Sequence, residues 1–184
     1  SDYISDDSPR SVFEIPRAKE CAVEVRSFSK GYGFTGLRLG YSVIPDEQKE
    51  LNSLKKRLCG LETNGVSYIT QRGGLACLTS EGKAEMKKRV KYYKDNAAIL
   101  KSALRYANLS YTDGNNSPYV FAKCPKGFTD GEFCAFLAEK CGIIATPGSG
   151  FYLKNDRYFR MAAFSPRQTI FEAAKRLSEL NFTS

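Results

Sequence analysis

The alternation of apolar and polar positions in the first part of the chain predicts two short strands joined by a loop. Residues 22–26 alternate small or apolar side chains with charged ones, and residues 39–45 form a second apolar run that Pro45 closes. Both segments have the patterns of strands. The glycine-rich residues 31–36 lie between them and are predicted to form the loop.

Helical patterns dominate the middle of the chain. Residues 46–78 are predicted to be mostly helical, with a break at residues 62–65, because an Asn-Gly pair favours a turn. A long helix is predicted to begin near Lys83. Its apolar residues recur at spacings of three and four: Met86, Val90, Tyr93, Ala97, Leu100 and Leu104. We expect a domain boundary inside this helix, near residue 95.

The last part of the chain is predicted to alternate strands with capped helices. Residues 118–123 and 158–163 have strand patterns. Thr129 and Glu132 have the spacing of a capping box. Ser165 is predicted to cap the final helix, with Pro166 in its first position and Gln168 three residues after the cap. The whole pattern indicates an α/β protein.

Composition and charge exclude several classes of protein. Hydrophobic residues make up 42% of the 184 residues and charged residues 26%, which is typical of globular domains. The net charge of +8 could indicate a nucleic-acid surface, but basic residues are mixed with acidic ones, as in residues 46–50. This mixing favours a solvated surface and no nucleic-acid partner. The six cysteines form no CxxC pair and histidine is absent, so no metal site is expected.

The compartment is predicted from two further features. No apolar run approaches the length needed to span a membrane, and the acidic start of the chain is unlike a signal or transit peptide. We therefore expect a soluble intracellular protein without a membrane partner. The expected location is the cytoplasm, or a plastid if a transit peptide lies upstream.

Candidate chemistry is concentrated in residues 27–38. A site for pyridoxal 5'-phosphate (PLP) needs an amine that reacts with the cofactor aldehyde, and donors with a positive charge for its phosphate. Lys30 offers the amine, Ser27 and Ser29 offer hydroxyls, and Arg38 offers a guanidinium. The backbone amides of the turn are expected to point the same way as the hydroxyls. Glycines at positions 31, 33 and 36 would let the chain fold back, so that Arg38 approaches the phosphate.

Other interpretations of this run stay open from the residues alone. The glycine spacing matches a dinucleotide-binding fingerprint, but that fingerprint opens a helix, and a strand is predicted here. A kinase glycine-rich loop should be followed by Val-Ala-Ile-Lys and His-Arg-Asp, and neither is present. An ordinary surface loop is the third interpretation.

A family resemblance supports the PLP interpretation. Ser27, Ser29 and Lys30, with an arginine eight residues after the lysine, resemble the motif of fold-type I, class I and II aminotransferases. Residues 33–41, 64–73, 146–151 and 158–160 narrow this resemblance to the LL-diaminopimelate aminotransferase family, over essentially the whole chain. The resemblance implies that residues 1–95 are the C-terminal remnant of the large PLP-binding domain. Residues 96–184 would be the small C-terminal domain.

The resemblance also implies roles for the residues around the cofactor. Lys30 would be the catalytic lysine that holds PLP. Ser27, Phe28 and Ser29 would form the turn on the phosphate side, and Arg38 would bind the phosphate.

Two further residues would contact the substrate. By the resemblance, Asn64 contacts both cofactor and substrate, and Arg160 binds the substrate α-carboxylate, which a guanidinium fork can match with two hydrogen bonds. From the residues alone, Asn64 could instead be a turn asparagine before glycine. Arg160 could instead be a structural ion-pair partner.

The implied reaction is amino transfer between LL-2,6-diaminopimelate and 2-oxoglutarate in lysine biosynthesis, carried out by a homodimer. In the family, an aspartate and an aromatic residue of the cofactor site lie upstream, and the aspartate should fall shortly before Ser1. We therefore expect a fragment without catalytic competence of its own. The alternatives are a class I and II aminotransferase or C–S lyase of other specificity, and a truncated non-catalytic homologue.

Overall fold

The computed structural model describes residues 2–62, 65–112, 114–152 and 157–182. The chain divides into two compact units, Ser1–Val90 and Lys91–Ser184. The division lies inside the long helix α4 (Ser80–Tyr106), where the sequence also placed a boundary, near residue 95. The assignment of the two units to the large and small domains of an aminotransferase remains a prediction.

The first unit contains an antiparallel strand pair and several helices. Its strands are β1 (Glu24–Ser27) and β2 (Gly40–Val43). Its helices are α1 (Ala18–Cys21), α2 (Lys49–Glu62), α3 (Tyr68–Cys77) and the first part of α4 (Ser80–Tyr106). Ser27 pairs with Gly40, so residues 28–39 form the loop between two neighbouring strand ends. The predicted order of strand, loop and strand is confirmed, and a strand rather than a helix follows the glycines.

Aromatic side chains of this loop pack against one another. The Phe28 ring is buried and contacts the rings of Tyr32 and Phe34, with centroids 5.0 and 5.7 Å away. Helix α3 packs close to the loop at Gly74, where a Cβ atom would lie 2.5 Å from the Leu39 side chain. A methyl group at this position would force Leu39 to move, so the close approach depends on glycine.

The second unit contains a three-stranded antiparallel sheet and the larger core. Its strands are β3 (Tyr119–Lys123), β4 (Thr146–Pro147) and β5 (Tyr158–Ala162), with β5 in the centre. Its helices are the second part of α4, α5 (Asp130–Cys141) and α6 (Arg167–Ser178).

The two faces of this sheet differ because side chains alternate along a strand. Four strand residues on one face are buried in the hydrophobic core with residues of the helices: Val120, Ala122, Phe159 and Met161. The intervening residues are half-buried on the opposite face: Tyr119, Phe121, Tyr158 and Arg160. Arg160 therefore lies on the face that does not form the core.

The start of α5 is as the sequence predicts. The Thr129 hydroxyl accepts a hydrogen bond from the Glu132 N–H, and the Glu132 carboxylate accepts one from the Thr129 N–H. Gly142 ends the helix with a φ of 61°, a left-handed conformation that favours glycine. Both ends of α5 are thus fixed by residues close in sequence.

The start of α6 differs from the prediction. The helix begins at Arg167. Its N-cap residue is Pro166, which has an extended ψ of 148°, and not Ser165. The Arg167 N–H donates to the Tyr92 hydroxyl at 2.5 Å. The prediction for Ser165 is wrong because a residue of α4 satisfies the first amide of this helix.

Helix α4 begins at Ser80, before the predicted start near Lys83. The Thr79 hydroxyl accepts a hydrogen bond from the Gly82 N–H at 3.2 Å, and the Thr79 carbonyl accepts one from the Lys83 N–H. Thr79 therefore satisfies donors of the first turn. The apolar periodicity did not reveal this turn, since its residues are polar or small.

Two kinds of structural feature are absent from the described ranges. None of their helices combines the length and apolarity that crossing a bilayer requires. No group of three or more His, Cys, Asp or Glu side chains in these ranges is arranged to hold a metal ion.

Candidate active site

Lys30 lies in the β1–β2 loop, three residues after the end of β1. It is half-buried, and its backbone carbonyl accepts a hydrogen bond from the Tyr3 hydroxyl at 3.5 Å. The next residue, Gly31, is buried beside Asp2: a Cβ atom at Gly31 would collide with an Asp2 carboxylate oxygen. Residues 2 and 3 therefore pack directly against the turn that carries Lys30.

Two hydrogen bonds fold the end of the loop back on this turn. The Thr35 hydroxyl donates to the Ser29 carbonyl at 3.0 Å, and Arg38 Nη1 donates to the Thr35 carbonyl at 2.8 Å. The Arg38 side chain is exposed, and its guanidinium has further N–H donors for an anion. The structure thus links Arg38 to Ser29, the residue before Lys30, through Thr35.

The backbone conformation behind this fold-back is not the predicted one. Among the three loop glycines only Gly33 has a left-handed φ, at 76°, while Arg38 itself has a φ of 55°. That region is unfavourable for a residue with a side chain, and such residues often occur at functional sites. A Cβ atom at Gly33 would also meet the Arg89 guanidinium, the end of a long side chain that can move aside.

Two of the predicted phosphate donors are engaged inside the loop. The Ser29 N–H donates to the Ser27 hydroxyl at 3.1 Å, and the Phe28 N–H donates to the Leu39 carbonyl at 3.1 Å. These two N–H groups therefore have acceptors within the protein, and the binding of a phosphate by the turn stays a prediction. The predicted side-chain donors to the phosphate are the hydroxyls of Ser27 and Ser29 and the Arg38 guanidinium.

Arg160 occupies a separate position in the second unit. It lies in β5, paired with Phe121 of β3 and with Thr146 of β4. Its guanidinium carbon lies over two aromatic rings, 4.3 Å from the centre of Tyr119 and 4.4 Å from the centre of Phe151. Contacts of this kind stabilise a cation and restrict its orientation.

The Arg160 guanidinium is not neutralised by the described residues. Its Nε atom is buried without a hydrogen-bond acceptor, and no carboxylate of the described ranges forms an ion pair with it. A buried donor without an acceptor is unfavourable. An incoming carboxylate would supply the acceptor and the opposite charge in bidentate geometry. The alternative of a structural ion pair thus finds no partner in these ranges.

Comparison with known proteins identifies the family. The profile of the family described as "Aminotransferase class I and II" matches residues 4–177. The chain belongs to this family. It is also 43% identical over 187 aligned residues to the LL-diaminopimelate aminotransferase of Prochlorococcus marinus (strain NATL1A), covering 97% of this chain and 46% of that protein.

Solved aminotransferase structures confirm the predicted α/β, fold-type I class. L,L-diaminopimelate aminotransferase from Chlamydomonas reinhardtii matches with a TM-score of 0.89 and 40% identity, covering 96% of this chain and 45% of that one. A "probable N-succinyldiaminopimelate aminotransferase" from Thermus thermophilus matches with a TM-score of 0.83 and 29% identity, covering 97% of this chain and 47% of that one. The chain spans about half the length of these relatives.

One aminotransferase site residue predicted from the sequence, Asn64, lies outside the described residues. Its proposed contact with cofactor and substrate stays a prediction. Nearby, Ser67 caps α3, since its hydroxyl accepts a hydrogen bond from the Thr70 N–H at 3.2 Å.

Sequence reasoning missed the residues that surround the predicted aminotransferase site. Tyr119 and Phe151 flank Arg160, and Asp2 and Tyr3 pack on the Lys30 turn. Strand alternation could have placed Tyr119 on a half-buried face. The position of Phe151 depends on a tertiary contact that no local pattern shows.

Proposed function

We propose that this chain is part of a PLP-dependent LL-diaminopimelate aminotransferase. The reaction would transfer an amino group between LL-2,6-diaminopimelate and 2-oxoglutarate, in lysine biosynthesis. The observation that supports this function most strongly is the 43% identity to a relative of that name over 97% of the chain. The Chlamydomonas reinhardtii structure, at 40% identity, has the same name.

The donor set of the β1–β2 loop fits PLP. Residues 27–38 carry one primary amine on Lys30, one guanidinium on Arg38 and the aliphatic hydroxyls of Ser27, Ser29 and Thr35. Hydrogen bonds join Ser29 to Thr35 and Thr35 to Arg38. Lys30 would hold the cofactor covalently, while Ser27, Ser29 and Arg38 would bind its phosphate. Bound PLP supplies an electron sink for negative charge at the substrate α-carbon.

The residues of this chain would bind the substrate and move its proton. Arg160 would grip the α-carboxylate, with the rings of Tyr119 and Phe151 limiting the orientations of its guanidinium. The Lys30 amine, once released, would take the proton from the substrate α-carbon as a general base. Asn64 would contact both cofactor and substrate.

The proposal includes the assembly and the location of the full-length protein. We expect a homodimer, as the family resemblance implies. We expect it to act on small-molecule amino acids and 2-oxo acids in the cytoplasm, or in a plastid if the full-length protein carries a transit peptide.

A second candidate is an aminotransferase of this class with another amino donor. The 29% identity to the Thermus thermophilus protein, titled as a probable N-succinyldiaminopimelate aminotransferase, favours an acylated diaminopimelate as that donor. Lower identity makes this the weaker candidate.

The test is amino transfer by the full-length protein after purification with PLP. Glutamate formation from 2-oxoglutarate is measured with LL-2,6-diaminopimelate and, in parallel, with its N-succinyl derivative. The proposal predicts transfer from the free diamine. Transfer only from the succinylated donor would establish the second candidate, and transfer from neither would contradict both.

A further inference from the structure

We propose that Asp130 is a positioning residue for Arg160, acting through the 3₁₀ helix Gly148–Phe151. The inference rests on the proposed function, in which Arg160 binds the substrate carboxylate. Asp130 lies in none of the sequence motifs that indicated the site. Three contacts within the second unit connect it to Arg160.

The first contact joins Asp130 to the 3₁₀ helix. Asp130 is the first residue of α5 and is only 4% exposed. Its Oδ2 accepts a hydrogen bond from the Ser149 N–H at 2.6 Å, and its Oδ1 accepts one from the Gly131 N–H at 2.9 Å. These bonds, chiefly the one from Ser149, hold the pKa of Asp130 below its usual range. The carboxylate therefore ties together two segments distant in sequence.

The second contact places the 3₁₀ helix on strand β5. Gly148 is buried, and a Cβ atom there would lie 2.6 Å from the Tyr158 carbonyl oxygen. Tyr158 is in the same strand as Arg160, two residues before it. The helix is thus held at adjacent residues, by β5 at Gly148 and by Asp130 at Ser149.

The third contact is made by the last residue of the 3₁₀ helix. The centre of the Phe151 ring lies 4.4 Å from the Arg160 guanidinium carbon, and 5.9 Å from the centre of the Phe121 ring. A helix of four residues has little rigidity of its own. The position of this ring therefore depends on the anchors at Gly148 and Ser149.

The consequence is a defined effect on substrate binding. Without the Asp130 carboxylate, the 3₁₀ helix would lose one anchor and Phe151 would hold Arg160 less firmly. A guanidinium that samples more orientations must be ordered when a carboxylate binds, which weakens affinity. The proton transfer assigned to Lys30 should not change. Asp130 should therefore affect KM much more than kcat.

The kinetic test uses the full-length protein with PLP and the variant Asp130→Asn, which keeps the shape but removes the charge. We expect KM for 2-oxoglutarate to rise about tenfold, as loss of one charge-assisted hydrogen bond implies, with kcat within about twofold of the parent protein. Asp95→Asn is the matched control, because the ion pairs that Asp95 forms with Lys91 and Arg167 are partly exposed to solvent. Its KM should equal that of the parent.

A double-mutant cycle separates positioning from general destabilisation. Phe151→Leu removes the ring while leaving Asp130 in place, and it should also raise KM. If Asp130 acts through Phe151, the double variant Asp130→Asn/Phe151→Leu should have the KM of Phe151→Leu alone. Additive effects of the two substitutions would overturn the proposed route.

A structural readout does not depend on catalysis. In the ¹H–¹⁵N spectrum of the full-length protein with PLP, the Arg160 Nε–H signal, assigned by its loss in Arg160→Gln, should move in both Asp130→Asn and Phe151→Leu. An unmoved signal in Asp130→Asn, with unchanged KM, would overturn the positioning role. The role of Arg160 fails separately, if Arg160→Gln leaves KM for 2-oxoglutarate unchanged.

Discussion

The two arginines of the candidate site, Arg38 and Arg160, differ in their surroundings. Arg38 is exposed and adopts a left-handed φ, with one guanidinium nitrogen bonded to the Thr35 carbonyl. Arg160 lies over two rings, with a buried Nε that has no acceptor. The Arg160 environment therefore restricts the guanidinium more strongly, which supports its proposed role in orienting a substrate.

Replacement of Arg160 should weaken substrate binding even when the positive charge is kept. In the full-length protein, Arg160→Lys should raise KM for 2-oxoglutarate by about 10- to 100-fold, since an ammonium cannot form the planar fork. Steady-state kinetics at varied 2-oxoglutarate concentration measure this change. Arg105→Lys, at an exposed position of α4, is the control and should have no effect. An equal KM in Arg160→Lys and the parent would contradict the assignment.

Asp130 should make the protein sensitive to acid. Its pKa is held below the ordinary value of 3.8 by hydrogen bonds from backbone amides. A carboxyl group whose pKa is lower in the folded than in the unfolded state stabilises the fold at pH values above the unfolded-state pKa. This contribution is lost as the pH falls through the folded-state pKa. Urea midpoints measured from about pH 7 down to about pH 3 should therefore fall less steeply for Asp130→Asn than for the parent chain. Parallel curves would show that Asp130 contributes nothing.

Helices and strands were predictable where their ends depend on neighbouring residues. The capping box of Thr129 and Glu132 and the end of β2 before Pro45 involve contacts within a few residues. The start of α6 was not predictable, because its first amide bonds to Tyr92, which is 75 residues away in sequence. Local patterns contain no information on such tertiary partners.

The capping box of α5 gives a stability prediction. Thr129→Ala removes the hydroxyl that accepts from the Glu132 N–H and should lower the free energy of unfolding by about 1 kcal/mol. Chemical denaturation followed by circular dichroism measures the change. Thr169→Ala, at an exposed position inside α6, is the control and should cause no loss. Equal stabilities of Thr129→Ala and the parent would contradict the cap.

For the protein as a whole, the two units differ in how completely they bury apolar residues. The main hydrophobic core belongs to the second unit. In the first unit, α2 exposes four leucines at spacings of three and four: Leu51, Leu54, Leu58 and Leu61. Leu61 is 83% exposed. Within its described residues, the first unit has a two-stranded sheet, which is marginally stable without further packing.

This difference predicts unequal protection of backbone amides in the 184-residue chain. Hydrogen exchange measured by mass spectrometry should be slow for β3 and β5, which contribute to the core, and faster for β1 and β2. Equal protection of the two sheets would contradict the difference in packing.

The candidate site was only partly predictable from the sequence. Ser27, Ser29, Lys30 and Arg38 lie in one continuous motif, so their residue types and spacing could be read directly. The support of Arg160 by Phe151, and of the Phe151 helix by Asp130, comes from residues distant in sequence that only tertiary packing brings together.

The most direct test of the proposed function is whether Lys30 binds PLP covalently. The full-length protein is incubated with PLP, reduced with borohydride and digested, and its peptides are mapped by mass spectrometry. We expect one pyridoxyl-modified lysine, Lys30, which remains modified in the control Lys19→Ala and is absent from Lys30→Ala. Modification of a different lysine would contradict the assignment of Lys30. Modification of Lys30 to the same extent as the exposed lysines would also contradict it.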